Sequence, residues 1–146
     1  MSKVLFVCKQ NAGRSQMSDA LFQRIANGRH QSRSAGTRPA EHVHPVVADA
    51  MRELGIDISG NRPQKLTDDL AQWADLVVTM GCGDECPYIP GKKYIDWDLT
   101  DPDGKSLGEV RAIRDDISRR VKQLANELEP ATEPRYDGVD VRETRV

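Results

Sequence analysis

The sequence predicts an α/β fold, a doubly wound parallel sheet of four strands with helices on both of its faces. Residues 4–7 form an uninterrupted apolar run, which is typical of a strand buried on both sides within a parallel sheet. Runs of this kind alternate along the chain with segments whose apolar residues recur at helical spacing. This alternation indicates parallel strands, because parallel strands need long crossover connections and cannot be joined by tight turns.

Three further strands are expected after the first. Residues 30–34 form a more polar strand that suits the edge of the sheet, and residues 35–37 are expected to turn away from it. Residues 75–80 form a third, buried strand, and residues 94–97 form a short fourth one. In the flavodoxin-like order of such sheets, the first and third strands are neighbours.

Four helices are expected to accompany these strands. Their ends are marked by Gly28 after the first helix, Pro45 and Gly55 around the second, Thr67 before a short third, and a capping box of Ser106 and Glu109 before the fourth. The apolar stripe of the fourth helix continues to Leu128 and then stops. We therefore expect one domain over residues 1–128.

Residues 129–146 have a different composition. They contain two prolines and eight charged side chains, and they show little apolar periodicity. Such a segment cannot bury enough apolar surface to offset the entropy of ordering it. We expect a disordered tail.

The composition limits the classes of partner. The chain has 21 basic and 23 acidic residues and a formal net charge of −2, which disfavours binding to nucleic acid or to an anionic membrane surface. No apolar run approaches the roughly 20 residues needed to cross a bilayer. Three cysteines, an odd number without a secretion signal, suit free thiols in the cytoplasm better than a disulfide framework.

Residues 8–15, Cys-Lys-Gln-Asn-Ala-Gly-Arg-Ser, lie between the first strand and the first helix and form a candidate oxyanion-binding loop. The backbone N–H groups of this arc can converge on one centre, where the N-terminus of the helix adds partial positive charge. The loop comprises the nucleophile Cys8 and the candidate oxyanion-binding residues Lys9, Gln10, Asn11, Ala12, Gly13, Arg14 and Ser15.

The residue types in this loop suit a reactive thiolate. Arg14 offers a planar fork for two oxygens of a tetrahedral oxyanion, and Ser15 can donate its hydroxyl proton to the Cys8 sulfur. Asn11 and Gly13 tolerate the left-handed backbone that a tight arc needs. The alternative is a buried cysteine at a strand end, followed by an ordinary polar turn.

This loop resembles the phosphate-binding loop of the low-molecular-weight protein tyrosine phosphatase superfamily, which includes an arsenate reductase branch. The resemblance extends through residues 34–36, residues 77–80, Asp101 with Pro102, and residues 111–115. It covers roughly residues 3–128, all but the tail.

Three features favour the reductase branch, of the thioredoxin-linked type. Residues 14–17 are Arg-Ser-Gln-Met, as in the reductases, whereas the phosphatases usually have proline after the serine. Residues 101–104 are Asp-Pro-Asp-Gly and lack the aromatic pair that the phosphatases place beside a phosphotyrosine ring. Cys82 and Cys86 form a pair that a phosphatase does not need.

Strand order supports a relay from Cys8 to this pair. Neighbouring strands lie about 4.8 Å apart, and a disulfide needs Cα atoms roughly 4.4–6.8 Å apart. Because Cys82 follows the third strand, a modest loop movement could bring it to Cys8, with Cys86 one helical turn beyond.

Cys82 and Cys86 have two other interpretations. They can be a pair of half-buried small residues, or two ligands of a metal site. A metal site would need two further ligands at standard spacing, which the sequence lacks. His42 and His44 are the only nearby candidates in type, and Pro45 marks a helix start there, so we expect no metal.

The resemblance implies a mechanism. Cys8 attacks arsenate bound by the loop and Arg14, and Asp101 acts as the general acid. Cys82 then attacks the Cys8 sulfur, arsenite leaves, and Cys86 resolves the mixed disulfide. An external thiol reductant, thioredoxin by analogy, reopens the Cys82–Cys86 bond.

Three alternatives stay open at this point. The first is a phosphatase acting on phosphotyrosine or small phosphoesters. The second is an arsenate transferase that uses mycothiol or glutathione as co-substrate. The third is an oxyanion-binding regulatory module without catalysis.

No tightly bound cofactor is expected. Some relatives bind potassium through an asparagine, a carboxylate, a serine and a later aspartate. Asn11, Asp19 and Ser34 match the first three, but the fourth position holds Gln64 or Lys65, which counts against a potassium site.

Overall fold

The computed structural model describes residues 1–81 and 91–129, in which strands and helices alternate. The elements are β1 (Lys3–Cys8), α1 (Arg14–Ala26), β2 (Gln31–Gly36), α2 (Pro45–Arg52), α3 (Asp68–Trp73), β3 (Leu76–Thr79), β4 (Lys93–Asp96) and α4 (Leu107–Leu128). The strands form one sheet in the order β2-β1-β3-β4, and every neighbouring pair is parallel. The predicted four-stranded parallel sheet, with β1 beside β3, is confirmed.

Strand β1 is buried on both faces, which explains its uninterrupted apolar run. Val4 and Phe6 belong to a large core cluster with residues of α1, α2 and α4. Leu5 and Val7 point the other way, into a smaller cluster that Leu70 and Trp73 of α3 help to cover. Helices therefore lie on both faces of the sheet, as predicted, and the short α3 packs on the face with the smaller cluster.

Strand β2 extends further than the sequence suggested. Ala35 and Gly36 were expected to turn away from the sheet, but both belong to the strand, and Gly36 pairs with Cys8. The Gly36 N–H donates to the Gln64 carbonyl, and the Gly36 carbonyl accepts from the Leu66 N–H, each at 2.9 Å. This distant segment continues the hydrogen-bonding pattern and keeps the end of β2 extended.

The predicted starts of α2, α3 and α4 are confirmed, whereas α2 ends at Arg52, before the predicted Gly55. Pro45 occupies the first turn of α2, Thr67 accepts a hydrogen bond from the Leu70 N–H, and Ser106 and Glu109 form the capping box of α4. Helix α1 ends at Ala26, and Asn27 takes the left-handed conformation just before Gly28.

Glu129, the first residue of the predicted tail, contacts residues that follow α1. Glu129 was assigned to the tail, but its carboxylate accepts a hydrogen bond from Arg29 at 2.9 Å and lies 2.8 Å from His30 Nε2. Residues 130–146 lie outside the described residues, so their disorder stays a prediction. Within the two described ranges, every helix is too short or too polar to cross a bilayer.

Glu53, next to the end of α2, holds that helix to α4. Its carboxylate accepts hydrogen bonds from Arg111 and from the largely buried Arg114, whose Nη1 also donates to the Ala50 carbonyl. The hydrogen bonds from Arg111, with those from Arg114, lower the pKa of Glu53 from 4.5 to about 2. The folded state therefore keeps this carboxylate ionised at a pH where the unfolded chain has protonated it.

We expect this contact to make stability depend on pH. A lowered pKa contributes stability that is present above about pH 4.5 and is lost as the pH falls toward 2. Glu53→Gln should therefore lower the urea midpoint at pH 7 and match the native protein more closely near pH 3. The exposed ion pair of Asp49 and Arg52 on α2 provides a control. Asp49→Asn should have little effect at either pH. If Glu53→Gln lowered the urea midpoint by the same amount at both pH values, the prediction would be contradicted.

Candidate active site

The loop between β1 and α1 curls because a neighbouring segment donates hydrogen bonds to its outward-facing carbonyl groups. The carbonyl oxygens of Cys8, Lys9, Gln10 and Ala12 accept hydrogen bonds from the N–H groups of Thr37, Arg38, Ala40 and His44 at 2.7–3.2 Å. In a trans peptide unit the N–H points away from the C=O. The N–H groups of residues 9, 10, 11 and 13 therefore turn to the inner side of the arc, an arrangement suited to an anion.

The Cys8 sulfur lies within this arc, buried with 2% exposure. The Asn11 N–H donates to it at 3.2 Å, and Ser15 Oγ lies 2.9 Å away. Asn11 Nδ2 donates to Ser15 Oγ at 2.7 Å, which leaves the hydroxyl proton of Ser15 for the sulfur. Both contacts lie on the sulfur inside the arc, an arrangement suited to a nucleophilic cysteine.

Asn11 and Gly13, which both tolerate a left-handed backbone, differ in conformation. Asn11 has φ of 53°, but Gly13 has φ of −144°. Gly13 is required for a different reason. A Cβ atom at this position would come within 2.6 Å of the Pro102 side chain and 3.6 Å of His44. Glycine thus allows residues 101 and 102 to approach the loop closely.

Arg14, the first residue of α1, places its guanidinium between two other loops. Its side chain is 8% exposed, Nη1 donates to the Leu99 carbonyl at 3.3 Å, and Nη2 lies 3.5 Å from Asp101 Oδ2. Gly81, which follows β3 with φ of 87°, lies against the same guanidinium. Asp101 is half-exposed and also accepts from the Asp103 N–H at 3.0 Å, so its carboxylate stands beside Arg14.

The sequence profile of a family described as low molecular weight phosphotyrosine protein phosphatase matches residues 3–133. The chain belongs to this family. A putative arsenate reductase from Halobacterium salinarum is 42% identical over an alignment of 134 residues, and the alignment covers 88% of this chain and 94% of that protein.

Two solved structures of the family are similar to this one and carry different activities in their names. A thioredoxin-dependent arsenate reductase from Corynebacterium glutamicum is 41% identical with a TM-score of 0.73; the match covers 87% of this chain and 60% of that one. The YwlE arginine phosphatase from Geobacillus stearothermophilus is 27% identical with a TM-score of 0.78, covering 88% of this chain and 93% of the phosphatase.

The remaining candidates for the oxyanion site differ in exposure. Lys9 is exposed, Gln10 is partly buried, and Ala12 is fully buried. The side chain of Lys9 therefore lies at the surface. Lys9 can contribute to the oxyanion site only through its backbone N–H, which faces the inside of the arc.

Cys82 and Cys86 lie outside the described residues, and the relay predicted for them stays a prediction. Gly81 is the last described residue before Cys82. Cys8 is a free thiol.

Of the residues compared with a potassium site, Asn11 and Ser34 both contact Gln64. Asn11 Oδ1 accepts from the Gln64 N–H at 2.9 Å, and the Gln64 side chain donates to the Ser34 carbonyl at 2.8 Å. Asp19 accepts from Ser32 at 2.6 Å, and burial raises the pKa of Asp19. Among described residues, no cluster of three or more His, Cys, Asp or Glu side chains could hold a metal ion. The expectation against potassium stays a prediction.

Two glycines that shape the site were not identified as site residues from the sequence. A Cβ atom on Gly36 would come within 2.7 Å of the Lys9 carbonyl and 2.9 Å of the Asn11 nitrogen, and one on Gly81 would overlap Arg14. Each glycine stands at or just beyond the carboxyl end of a strand, where a close backbone approach is common. A glycine at the carboxyl end of a predicted strand was therefore the feature of the sequence from which these two site residues could have been identified.

Proposed function

We propose that this protein is an arsenate reductase in which Cys8 attacks arsenate bound by residues 8–15. The observation that carries the proposal is the buried Cys8 sulfur, to which Asn11 and Ser15 direct hydrogen bonds, in an arc with inward-facing N–H groups. Relatives at 42% and 41% identity that are named arsenate reductases support it.

The first step joins sulfur to arsenic. The inward N–H groups and Arg14 bind the oxyanion, and the Cys8 thiolate attacks arsenic. An As–O bond breaks, and the oxygen leaves as water after protonation, for which Asp101 is the candidate donor. Asp101 lies beside Arg14 at the half-exposed mouth of the site, where a departing water would form.

The second step reduces arsenic. The Cys82 thiolate attacks the Cys8 sulfur, an S–S bond forms, and the As–S bonding pair stays on arsenic, which leaves as arsenite. Cys86 then attacks Cys82 and releases the Cys8 thiolate. Two electrons have moved from the thiols to arsenic, and a Cys82–Cys86 disulfide is left. A dithiol reductant, thioredoxin by analogy with the Corynebacterium protein, then reduces this disulfide and restores both thiols. Such a cycle needs a reducing compartment, so we propose a cytoplasmic location.

A phosphatase is the second candidate, supported by the similarity to an arginine phosphatase. Phosphate and arsenate are both tetrahedral oxyanions, so the same loop can stabilise either. Steady-state rates on arsenate with a thioredoxin system and on an aryl phosphate distinguish the two. We expect arsenate to be the better substrate by kcat/KM.

The decisive experiment is mass spectrometry of the full chain after arsenate treatment without reductant. We expect a Cys82–Cys86 disulfide in the native protein and a trapped Cys8–Cys82 disulfide in Cys86→Ser. Cys82→Ser should reduce thioredoxin-linked turnover to background, because no thiolate then releases arsenic from Cys8. Full turnover of Cys82→Ser with thioredoxin would rule out the relay. Turnover that instead required glutathione or mycothiol would support the transferase.

A further inference from the structure

We infer that Gln16 is a positioning residue for the Cys8 nucleophile, an inference that rests on the proposed function. Gln16 lies in the first turn of α1 and is buried with 4% exposure. Its Nε2 donates to Asn11 Oδ1 at 3.2 Å, and its Oε1 accepts from Asn61 Nδ2 at 3.1 Å. It does not contact Cys8 directly, so any effect on the sulfur must pass through Asn11.

A backbone group sets the direction of the hydrogen bonds in this chain. The Gln64 N–H, which can only donate, points at one terminal atom of the Asn11 side chain, at 2.9 Å. That atom must therefore be the oxygen, and the Asn11 nitrogen must face Ser15. The same oxygen requires Gln16 to present its nitrogen. Gln16 must then accept, through its oxygen, from Asn61.

Every donor in the resulting series points toward the sulfur. Asn61 donates to Gln16, Gln16 to Asn11, Asn11 to Ser15, and Ser15 to the Cys8 sulfur. Hydrogen bonds aligned in this way polarise one another, so donors near the surface strengthen the last bond on the thiolate. Gln16 also gives the Asn11 oxygen a second donor, which reinforces the amide orientation that the Gln64 N–H sets and that leaves the Ser15 proton for Cys8.

The charged groups around the loop take no part in this series of hydrogen bonds. Arg14 pairs with Asp101, and its Nη1 donates to the Leu99 carbonyl. These charges lie at the mouth of the site. Gln16 and Asn11 are neutral, so their influence on Cys8 depends on the orientation of their amides.

The test measures iodoacetamide alkylation of Cys8 at pH 6 and pH 9, following the Cys8 peptide of the full chain by mass spectrometry. The ratio of the two rates reports how well the protein stabilises the thiolate. Gln16→Met keeps the length of the side chain and removes the amide. We expect it to lower the pH 6 to pH 9 ratio by about fivefold to tenfold, the effect of losing one aligned hydrogen bond.

Two further variants separate positioning from stability. Phe22→Leu alters a fully buried core residue on the same helix, away from the series. It should lower the urea midpoint and leave the ratio unchanged. Asn61→Ala removes the outermost donor at an exposed position and should lower the ratio about twofold. Asn61→Ala serves as the test should Gln16→Met fail to fold.

The outcomes are distinguishable. A native ratio in Gln16→Met, or in Asn61→Ala if Gln16→Met does not fold, overturns the role of Gln16 and leaves the proposed function intact. Should native Cys8 itself react slowly at pH 6, without protection by arsenate, the proposed function fails and this inference falls with it.

Discussion

Cys8→Ser is expected to lose arsenate reduction by at least about 10⁴-fold, as enzymes do when their nucleophile is removed. A serine hydroxyl at this position would keep the shape of the site but would not be ionised at neutral pH, and its oxygen cannot form the disulfide that reduces arsenic. The measurement is arsenite formation with a thioredoxin system.

Binding of inorganic phosphate provides the control for this variant. The arc of N–H groups and Arg14 are unchanged in Cys8→Ser, so titration calorimetry should detect phosphate binding in the variant, and its urea midpoint should stay close to the native value. Thiol-dependent turnover above about 1% of native would mean that another sulfur starts the reaction, and it would remove Cys8 from its proposed role.

Gly81→Ala is expected to lower kcat/KM for arsenate by about 10²-fold, because a misplacement of about 1 Å in a binding group has effects of this size. The added Cβ would overlap the Arg14 guanidinium, which the contacts to Leu99 and Asp101 hold in place. Arg14 must therefore move away from the position in which it can bind two oxyanion oxygens.

Gly91→Ala is the matched control. Gly91 has φ of 88°, against 87° for Gly81, but a Cβ there would meet no atom of the described residues within 4 Å. Both variants carry the same backbone penalty, about 1 kcal/mol for a side chain in the left-handed region. We expect both variants to lose stability, Gly81→Ala somewhat more because of the overlap with Arg14, and we expect a loss of activity only in Gly81→Ala. Equal losses of activity would show that folding, rather than the position of Arg14, explains the effect.

Elements with a strong local pattern were predicted well from the sequence. Strand β1 is apolar at every position that must be buried on both faces, and α4 carries both a capping box and a long apolar stripe. The end of β2 was predicted poorly, because residues 64–66 keep it extended and no local pattern around Gly36 indicates that contact.

In the candidate site, too, local features were predicted from the sequence and features set by distant residues were not. The loop of residues 8–15 could be identified because its nucleophile, amides and arginine are consecutive in the chain. The need for a glycine at position 13 could not be predicted from the loop alone, because Pro102, whose side chain requires that glycine, is distant in sequence.

The sequence by itself determined the parallel α/β architecture, the candidate nucleophile Cys8, and the position of its loop between β1 and α1. Only the tertiary structure decided how Arg14 is held and which way the Asn11 amide faces. The physical reason is separation along the chain: Leu99 lies 85 residues from Arg14, and Gln64 lies 53 residues from Asn11. Periodicity and capping signals act over a few residues, whereas these contacts exist only once the sheet brings the strand ends together.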